Sequence, residues 1–191
     1  GTGRMKVALY DFGAKRNIAN ELAKRNCEVT VFPATTPASE VLEGNFDGIM
    51  LSNGPGDPAE VTDIIAEVKK LSESGMPIFA ICLGHQLMAL AHGFKTEKLK
   101  YGHHGANHPV KDLDTNRVYI STQNHNYVIK DDSIDPAVAK AWFRNVNDGT
   151  IEGVEYLNKN IKTVQFHPEA NAGPRDTEYL FDEFIKMMEG K

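Results

Sequence analysis

Cys82 closes the apolar run "PIFAI" (77–81) and opens the helix-spaced run "GHQLMALAHG" (84–93). A thiol at such a turn is either a packed spacer or a nucleophile. Free cysteine is among the most buried residue types, so the turn by itself fits both readings equally. A nucleophile needs a sharp, strained bend with small residues two places either side, and Ala80 and Gly84 supply them. The helix that follows aims unsatisfied N–H groups and its positive end at the sulfur, which favours the thiolate. The N–H of Leu83 would face a developing oxyanion. A thiol also needs a base and a group to orient that base, and both can be remote in sequence. "QFHPEA" (165–170) offers His167 directly after a strand, then Glu169 with Pro168 between them. His167 alone reads as a surface-loop histidine. Beside a thiol it takes the proton, while the carboxylate holds the ring's tautomer.

"LSNGPGDP" (51–58) also follows a strand, and its glycines and prolines describe a turn whose backbone N–H groups can approach a ligand closely. It is either a connecting turn or the source of a second oxyanion donor. It lacks the Lys-Ser/Thr of a phosphate loop and a complete G-x-G-x-x-G, so nucleotide binding is not expected. "GHHGANH" carries His103, His104 and His108 with no cysteine or carboxylate in the run, so neither a metal nor any other cofactor is expected. Cys27, at a helix end before a strand, has no histidine beside it that would activate a thiol and is expected to pack. The same holds for Trp142, Phe143 and the pair Met187 and Met188.

These residues need a scaffold. The chain has 191 residues, 41% hydrophobic, enough for one sizeable core. Its net charge of −5, from 21 Lys+Arg against 26 Asp+Glu, offers no basic surface for nucleic acid. The apolar runs stop short of a membrane span and there is no signal-peptide core, so no membrane partner is expected and the default compartment is cytoplasmic. Two cysteines exclude a disulfide framework.

Apolar strands are expected at 6–12, 28–33, 46–52 and 77–81, and helices at 15–26, 36–44, 57–75 and 84–93. Pro37 would open the second helix at its first position, and Asp57 and Glu60 have capping-box spacing for the third. In the fourth, Leu87, Met88, Leu90 and Ala91 are expected to point inward. Strands alternating with crossover helices predict an α/β fold: a mostly parallel doubly wound sheet, flavodoxin-like, with helices on both faces. In such sheets ligands bind at the carboxyl ends of the strands, where Cys82 falls. After Gly93 the short pieces 94–100, 116–122, 138–145, 150–157 and 161–166 predict an antiparallel extension, closed by a helix over 176–190.

Taken together, "NGPGDP", "ICLGHQLMAL" and "HPEA" in this order resemble the class I glutamine amidotransferases. "YDFGAKRNI", "GHHGANHPVKDL", "TQNHNY" and "HPEANAGPRDTEYLFDEF" are similar to the carbamoyl phosphate synthase branch of that family, the glutaminase half of its small subunits. The resemblance runs from about residue 6 to the C-terminal helix. It implies hydrolysis of L-glutamine to glutamate and ammonia through a glutamyl thioester, with ammonia passed to a carbamoyl phosphate synthase large subunit for pyrimidine and arginine biosynthesis. It implies Cys82 as nucleophile, His167 as acid and base, Glu169 as orienter, and the amides of Gly54 and Leu83 as oxyanion hole. Gly56, Gln86, Asn124, Asn126 and Tyr127 would contact glutamine, the last three largely through backbone groups. Ala80 stands where the family commonly has Gly. Asn126 also replaces a Gly, in a turn whose left-handed angles Asn tolerates. Residues 1–5 are expected to be linker or added residues and 6–190 a single amidotransferase domain, without the family's N-terminal domain, which contributes to the glutamine pocket. Another class I amidotransferase, a related cysteine hydrolase, or a catalytically weak binding module are the competing readings.

Overall fold

A computed structural model describes residues 4–13, 16–170 and 176–190. Parts of "YDFGAKRNI" and "HPEANAGPRDTEY", and most of the segment 1–5, lie outside the described residues. The elements run β1 (Met5–Asp11), α1 (Arg16–Lys24), β2 (Cys27–Pro33), α2 (Ala38–Leu42), β3 (Gly48–Leu51), α3 (Thr62–Ser72), β4 (Ile78–Ile81) and α4 (Leu83–Ala91). They continue with β5 (Thr96–Asp112), β6 (Val118–Ile129), β7 (Ala139–Asn145), β8 (Ile151–Tyr156), β9 (Ile161–Val164) and α5 (Tyr179–Glu189).

One nine-stranded sheet has the order β2-β1-β3-β4-β9-β8-β7-β5-β6. The first five are parallel to one another, and β9 docks beside β4. That is the 2-1-3-4-5 order of a doubly wound sheet, with the last strand of the chain in fifth place. The remaining strands pair antiparallel, as the short pieces after Gly93 predict, but 161–166, also expected in that extension, supplies the fifth parallel strand β9 and meets the extension only through its antiparallel pairing with β8.

Strand alternation sorts the core into two layers. Val7 and Leu9 of β1, Met50 of β3, and Phe79 and Ile81 of β4 meet α1 and α5. Ala8, Tyr10, Ile49, Leu51, Ile78 and Ala80 meet α2, α3 and α4. Phe79 lies with its ring centroid 6.4 Å from Phe181 and 6.1 Å from Phe184, and is fully buried, a placement worth about 1.5–3 kcal/mol relative to exposure. Trp142, Phe143 and Met188 join this layer, as expected. In α4, Leu87, Met88 and Ala91 are buried and Leu90 half-buried. No helix among the described residues is long and apolar enough to cross a membrane.

Three local expectations differ. The capping-box residues Asp57 and Glu60 belong to a separate 3-10 turn, with the Asp57 carboxylate accepting from Ala59 N–H at 2.9 Å, and α3 starts only at Thr62. Pro37 is the extended N-cap of α2 rather than its first helical residue. "TQNHNY" is no turn: residues 122–127 lie inside β6, and φ at Asn126 is not positive. The left-handed residue is instead Gly102 on the facing strand, at φ 71°, where a Cβ would sit 2.6 Å from Asn126 Oδ1 and 2.7 Å from the His125 carbonyl.

Candidate active site

Cys82 sits at the bend between β4 and α4 with φ 51° and ψ −102°. The other described non-glycine residues with positive φ are all asparagines, the type that tolerates it best; Cys82 is the exception. Such a conformation costs roughly 1–3 kcal/mol and persists only where neighbours enforce it. Cys82 N–H donates to the Val164 carbonyl at 2.8 Å, and its own carbonyl accepts the first α4 bond, from Gln86 N–H at 3.1 Å. Gly84 allows the helix to start against β3: a Cβ there would lie 2.7 Å from Leu51 Cβ and 2.9 Å from its carbonyl oxygen. The buried Ala80 methyl is accommodated in the core. The thiol is almost wholly buried, at 3% exposure, beneath the N-terminus of α4, whose first N–H, that of Leu83, has no intrahelical acceptor.

His167 and Glu169 arrive from the far side of β9. The Ala170 N–H closes on the His167 carbonyl at 3.4 Å, a tight turn that folds the carboxylate back so that His167 Nδ1 donates to Glu169 Oε1 at 2.8 Å. His167 N–H donates to the Thr122 carbonyl at 2.9 Å, pinning the turn to the antiparallel extension. Burial works to depress the His167 pKa, but the Cys82 thiol and the Glu169 carboxylate override it, and the imidazole is pushed up to about 10. Its buried Nε2 makes no hydrogen bond of standard geometry among the described residues, although the thiol is close enough to act on it.

The turn after β3 closes the site. Ser52 Oγ accepts from Phe12 N–H at 2.9 Å, and Ser52 N–H donates to the Tyr10 carbonyl at 3.2 Å, tying it to the end of β1. Gly54 has no room for a side chain, since a Cβ would meet the Phe12 carbonyl oxygen at 2.1 Å. Gly54, Gly56, Cys82, Gln86, Asn124, Asn126 and Tyr127 line one cavity of about 300 Å³, completed by Pro55, Asp57 and His125. Leu83, His167 and Glu169 are not in that lining; His167 stands behind it, beside the Cys82 thiol, and Leu83 follows that thiol at the start of α4. The Leu83 side chain packs in the core, and only its N–H is available to the site.

Two further residues go beyond what the motifs suggest. Gln165 is fully buried and donates from Nε2 to Cys82 Sγ at 3.5 Å. It stands two places before His167 and so emerges on the same side of the chain, which was its only sequence signal. Gln86 Nε2 donates to Gln165 Oε1 at 3.0 Å and to the Tyr127 carbonyl at 2.8 Å, so both amide protons are spent on the scaffold and Oε1 is left for a ligand. His85 is fully buried with Nδ1 2.7 Å from Thr163 Oγ1, and burial pushes its pKa down to about 3, leaving a neutral ring. The Asn124 and Asn126 side chains are exposed, with both amide oxygens facing His104, at 2.8 and 3.1 Å, and both residues line the cavity. Cys27 packs in the core, and burial pushes its thiol up, opposite to activation.

A strained thiol at a helix N-terminus, with a buried imidazole–carboxylate pair beside it and a glycine turn across the cavity it lines, has a counterpart among known proteins. The chain belongs to the glutamine amidotransferase class-I family, whose sequence model matches residues 8–187. Within it, the chain is 51% identical over 191 residues to the carbamoyl phosphate synthase small chain of Listeria monocytogenes serotype 4b, covering 100% of this chain and 52% of that protein. It is 52% identical over 183 residues to the carbamoyl phosphate synthase small chain of Salmonella typhimurium, covering 96% and 48%. The chain thus spans about half the length of the curated relatives it matches. A crystal structure described as that of a GMP synthase component from Thermoplasma acidophilum superposes with a TM-score of 0.86 over 100% of this chain and 96% of its own, at 22% identity, which speaks to the fold alone.

Proposed function

We propose that this chain is the glutaminase unit of a carbamoyl phosphate synthase small chain, hydrolysing L-glutamine to glutamate and ammonia for a large-subunit partner. The observation that carries the reading is a cavity-lining Cys82 with the buried His167–Glu169 pair beside its thiol, on a chain half identical to carbamoyl phosphate synthase small chains. In the proposed mechanism His167 Nε2 takes the Cys82 proton, and the thiolate attacks the side-chain amide carbon. The oxyanion is held by the N–H groups of Leu83 and Gly54. His167 then protonates the departing ammonia, and water, deprotonated by the same ring, hydrolyses the thioester. Glu169 holds the ring's tautomer and stabilises the imidazolium. Gln86 and the backbone of residues 124–127 grip the substrate. A reactive thiol suits a reducing compartment, and the cytoplasm is the proposed location.

The test is ammonia release from glutamine with and without a carbamoyl phosphate synthase large subunit. Stimulation by that partner but not by other synthetases is expected; equal stimulation by an unrelated synthetase would assign the chain to another branch of the family.

Gly54→Ala is expected to lower kcat by on the order of 10²–10³, the cost of losing one oxyanion donor. Its methyl cannot be placed without moving the turn away from the Phe12 carbonyl. Steady-state kinetics with an unchanged far-ultraviolet spectrum would check it. Glu169→Gln should lower turnover clearly but less than replacement of Cys82, because it orients and does not attack. Equal losses for the two variants would give Glu169 a different role.

A further inference from the structure

Outside the triad, His103 of β5, Gln123 and His125 of β6, and Glu152 of β8 point into one buried space. His103, His125 and Glu152 offer ligand atoms that all lie within 4.8 Å of one another, and all three side chains are buried. The hydrogen bonds around them determine which atoms face inward, and whether those atoms carry protons.

His125 Nδ1 lies 2.8 Å from the Tyr127 carbonyl, which can only accept, so Nδ1 holds the proton and Nε2 presents a lone pair. Ser121 spends its hydroxyl proton on the His108 carbonyl at 2.7 Å, and can then only accept from Gln123 Nε2 at 3.1 Å. That fixes the Gln123 amide with its oxygen toward His125 Nε2, at 2.8 Å. The Asp148 carboxylate accepts from Thr150 through Oδ1 and faces His103 Nε2 through Oδ2 at 2.6 Å, so the His103 proton sits on that side. His103 Nδ1 is left facing His125 Nε2 at 3.1 Å and Glu152 Oε1 at 3.3 Å. Glu152 is fully buried, and neither of its oxygens makes a hydrogen bond of good geometry among the described residues.

Four acceptors therefore converge: two imidazole nitrogens, an amide oxygen and a carboxylate oxygen; the neighbouring Asn145 amide acts on Glu152 but makes no hydrogen bond of good geometry with it. A cation resolves this. A single proton on His103 can serve one neighbour and leaves the other acceptors opposed, whereas a metal ion serves all four. Ligands at about 2.1 Å from a tetrahedral zinc are roughly 3.4 Å apart; His103 Nδ1 already stands 3.1 Å from His125 Nε2 and 3.3 Å from Glu152 Oε1, and no two of these three atoms are more than 4.8 Å apart. Asp148 on the far nitrogen of His103 and the Tyr127 carbonyl on that of His125 are the outer partners that orient metal-binding imidazoles. Mixed imidazole and oxygen donors favour zinc over magnesium or calcium.

We propose that His103 Nδ1, His125 Nε2, Glu152 Oε1 and Gln123 Oε1 form a structural site for a zinc-class divalent cation, which clamps β5, β6 and β8 together behind the cavity. This cluster departs from the expectation that the "GHHGANH" histidines have no metal role. Only His103 of the three points inward; His104 faces out, and His108 Nε2 lies 2.7 Å from the His104 carbonyl. The carboxylate missing from the run comes from β8.

Zinc(II) alone is the probe, titrated by equilibrium dialysis into protein carrying Cys82→Ala so that the Cys82–His167 pair cannot bind it. One equivalent per chain is expected, with an increase in Tm. Cobalt(II) in the same protein should give the visible absorption of a tetrahedral site without a thiolate charge-transfer band. Asp148→Asn should weaken zinc binding by about 10–100-fold, and Glu152→Gln by more. No zinc uptake by the Cys82→Ala protein, or uptake unchanged in both variants, would overturn the proposal and leave a proton as the cation. Should Glu152→Gln fail to fold, zinc-edge absorption of the Cys82→Ala protein decides: two imidazoles and two oxygens are expected, and one imidazole or none refutes the site.

Discussion

Cys82→Ser is expected to reduce glutamine hydrolysis by on the order of 10⁴–10⁶, the scale seen when a triad nucleophile is removed. The hydroxyl would occupy the same bend, but it is far less acidic than a thiol and a weaker nucleophile in this geometry. The fold should survive, because the strained turn is held by the backbone bond to Val164, the β3 packing at Gly84 and the α4 ladder rather than by sulfur. Two readouts check it. Alkylation by a glutamine-like electrophile should disappear; a label that persisted, or moved to the buried Cys27, would defeat the assignment. The His167 pKa, followed by imidazole NMR, should fall from its position near 10, since the thiol is one of the groups that raise it.

His167→Asn should cost nearly as much, because the three residues act as a unit. The double variant with Cys82→Ser should therefore be little worse than either single one; multiplied losses would mean that the two residues act independently. This substitution also has a stability signature. The folded pKa of His167 is raised from 6.5 to about 10, so its proton-linked contribution is fully present below pH 6.5 and is lost as pH rises toward 10. The stability gap between wild type and His167→Asn should be widest at and below pH 6.5 and narrow as pH rises toward 10. Urea titrations at three pH values would measure it, and a gap that widened with pH would reverse the sign of the linkage.

The parallel half of the fold and the position of the thiol were legible because both are written locally. β-Branched and apolar runs alternate with helix-spaced ones, and the bend at Cys82 needs only Ala80 before it and Gly84 after it. The pairing of Cys82 with His167 could be anticipated from motif chemistry, but its geometry depends on β9 crossing over to lie beside β4, a long-range event with no local mark. The family resemblance implies a turn at Asn126 in "TQNHNY", but the segment is a strand that pairs with "GHHGANH" across a bulged ladder. The left-handed angle then falls on Gly102, on the other strand. Gln86 is a polar residue on the first turn of α4, yet it is buried, with its amide held by residues 127 and 165.

By itself, the sequence determined the residue chemistry and the local elements: a thiol at a strand-to-helix bend, a histidine and carboxylate one proline apart, a glycine turn, and strands and helices in alternation. Periodicity and turn chemistry act over a few residues, and those scales suffice for such features. Only the tertiary structure decided which distant groups share a space. It placed Gln165 on the sulfur, spent the protons of Gln86 on the scaffold, and turned His103, Gln123, His125 and Glu152 toward one another across three strands. Contacts of that kind are set by strand register and by which face of the pleat each residue takes, and a shift of one position would turn every one of them to the opposite side.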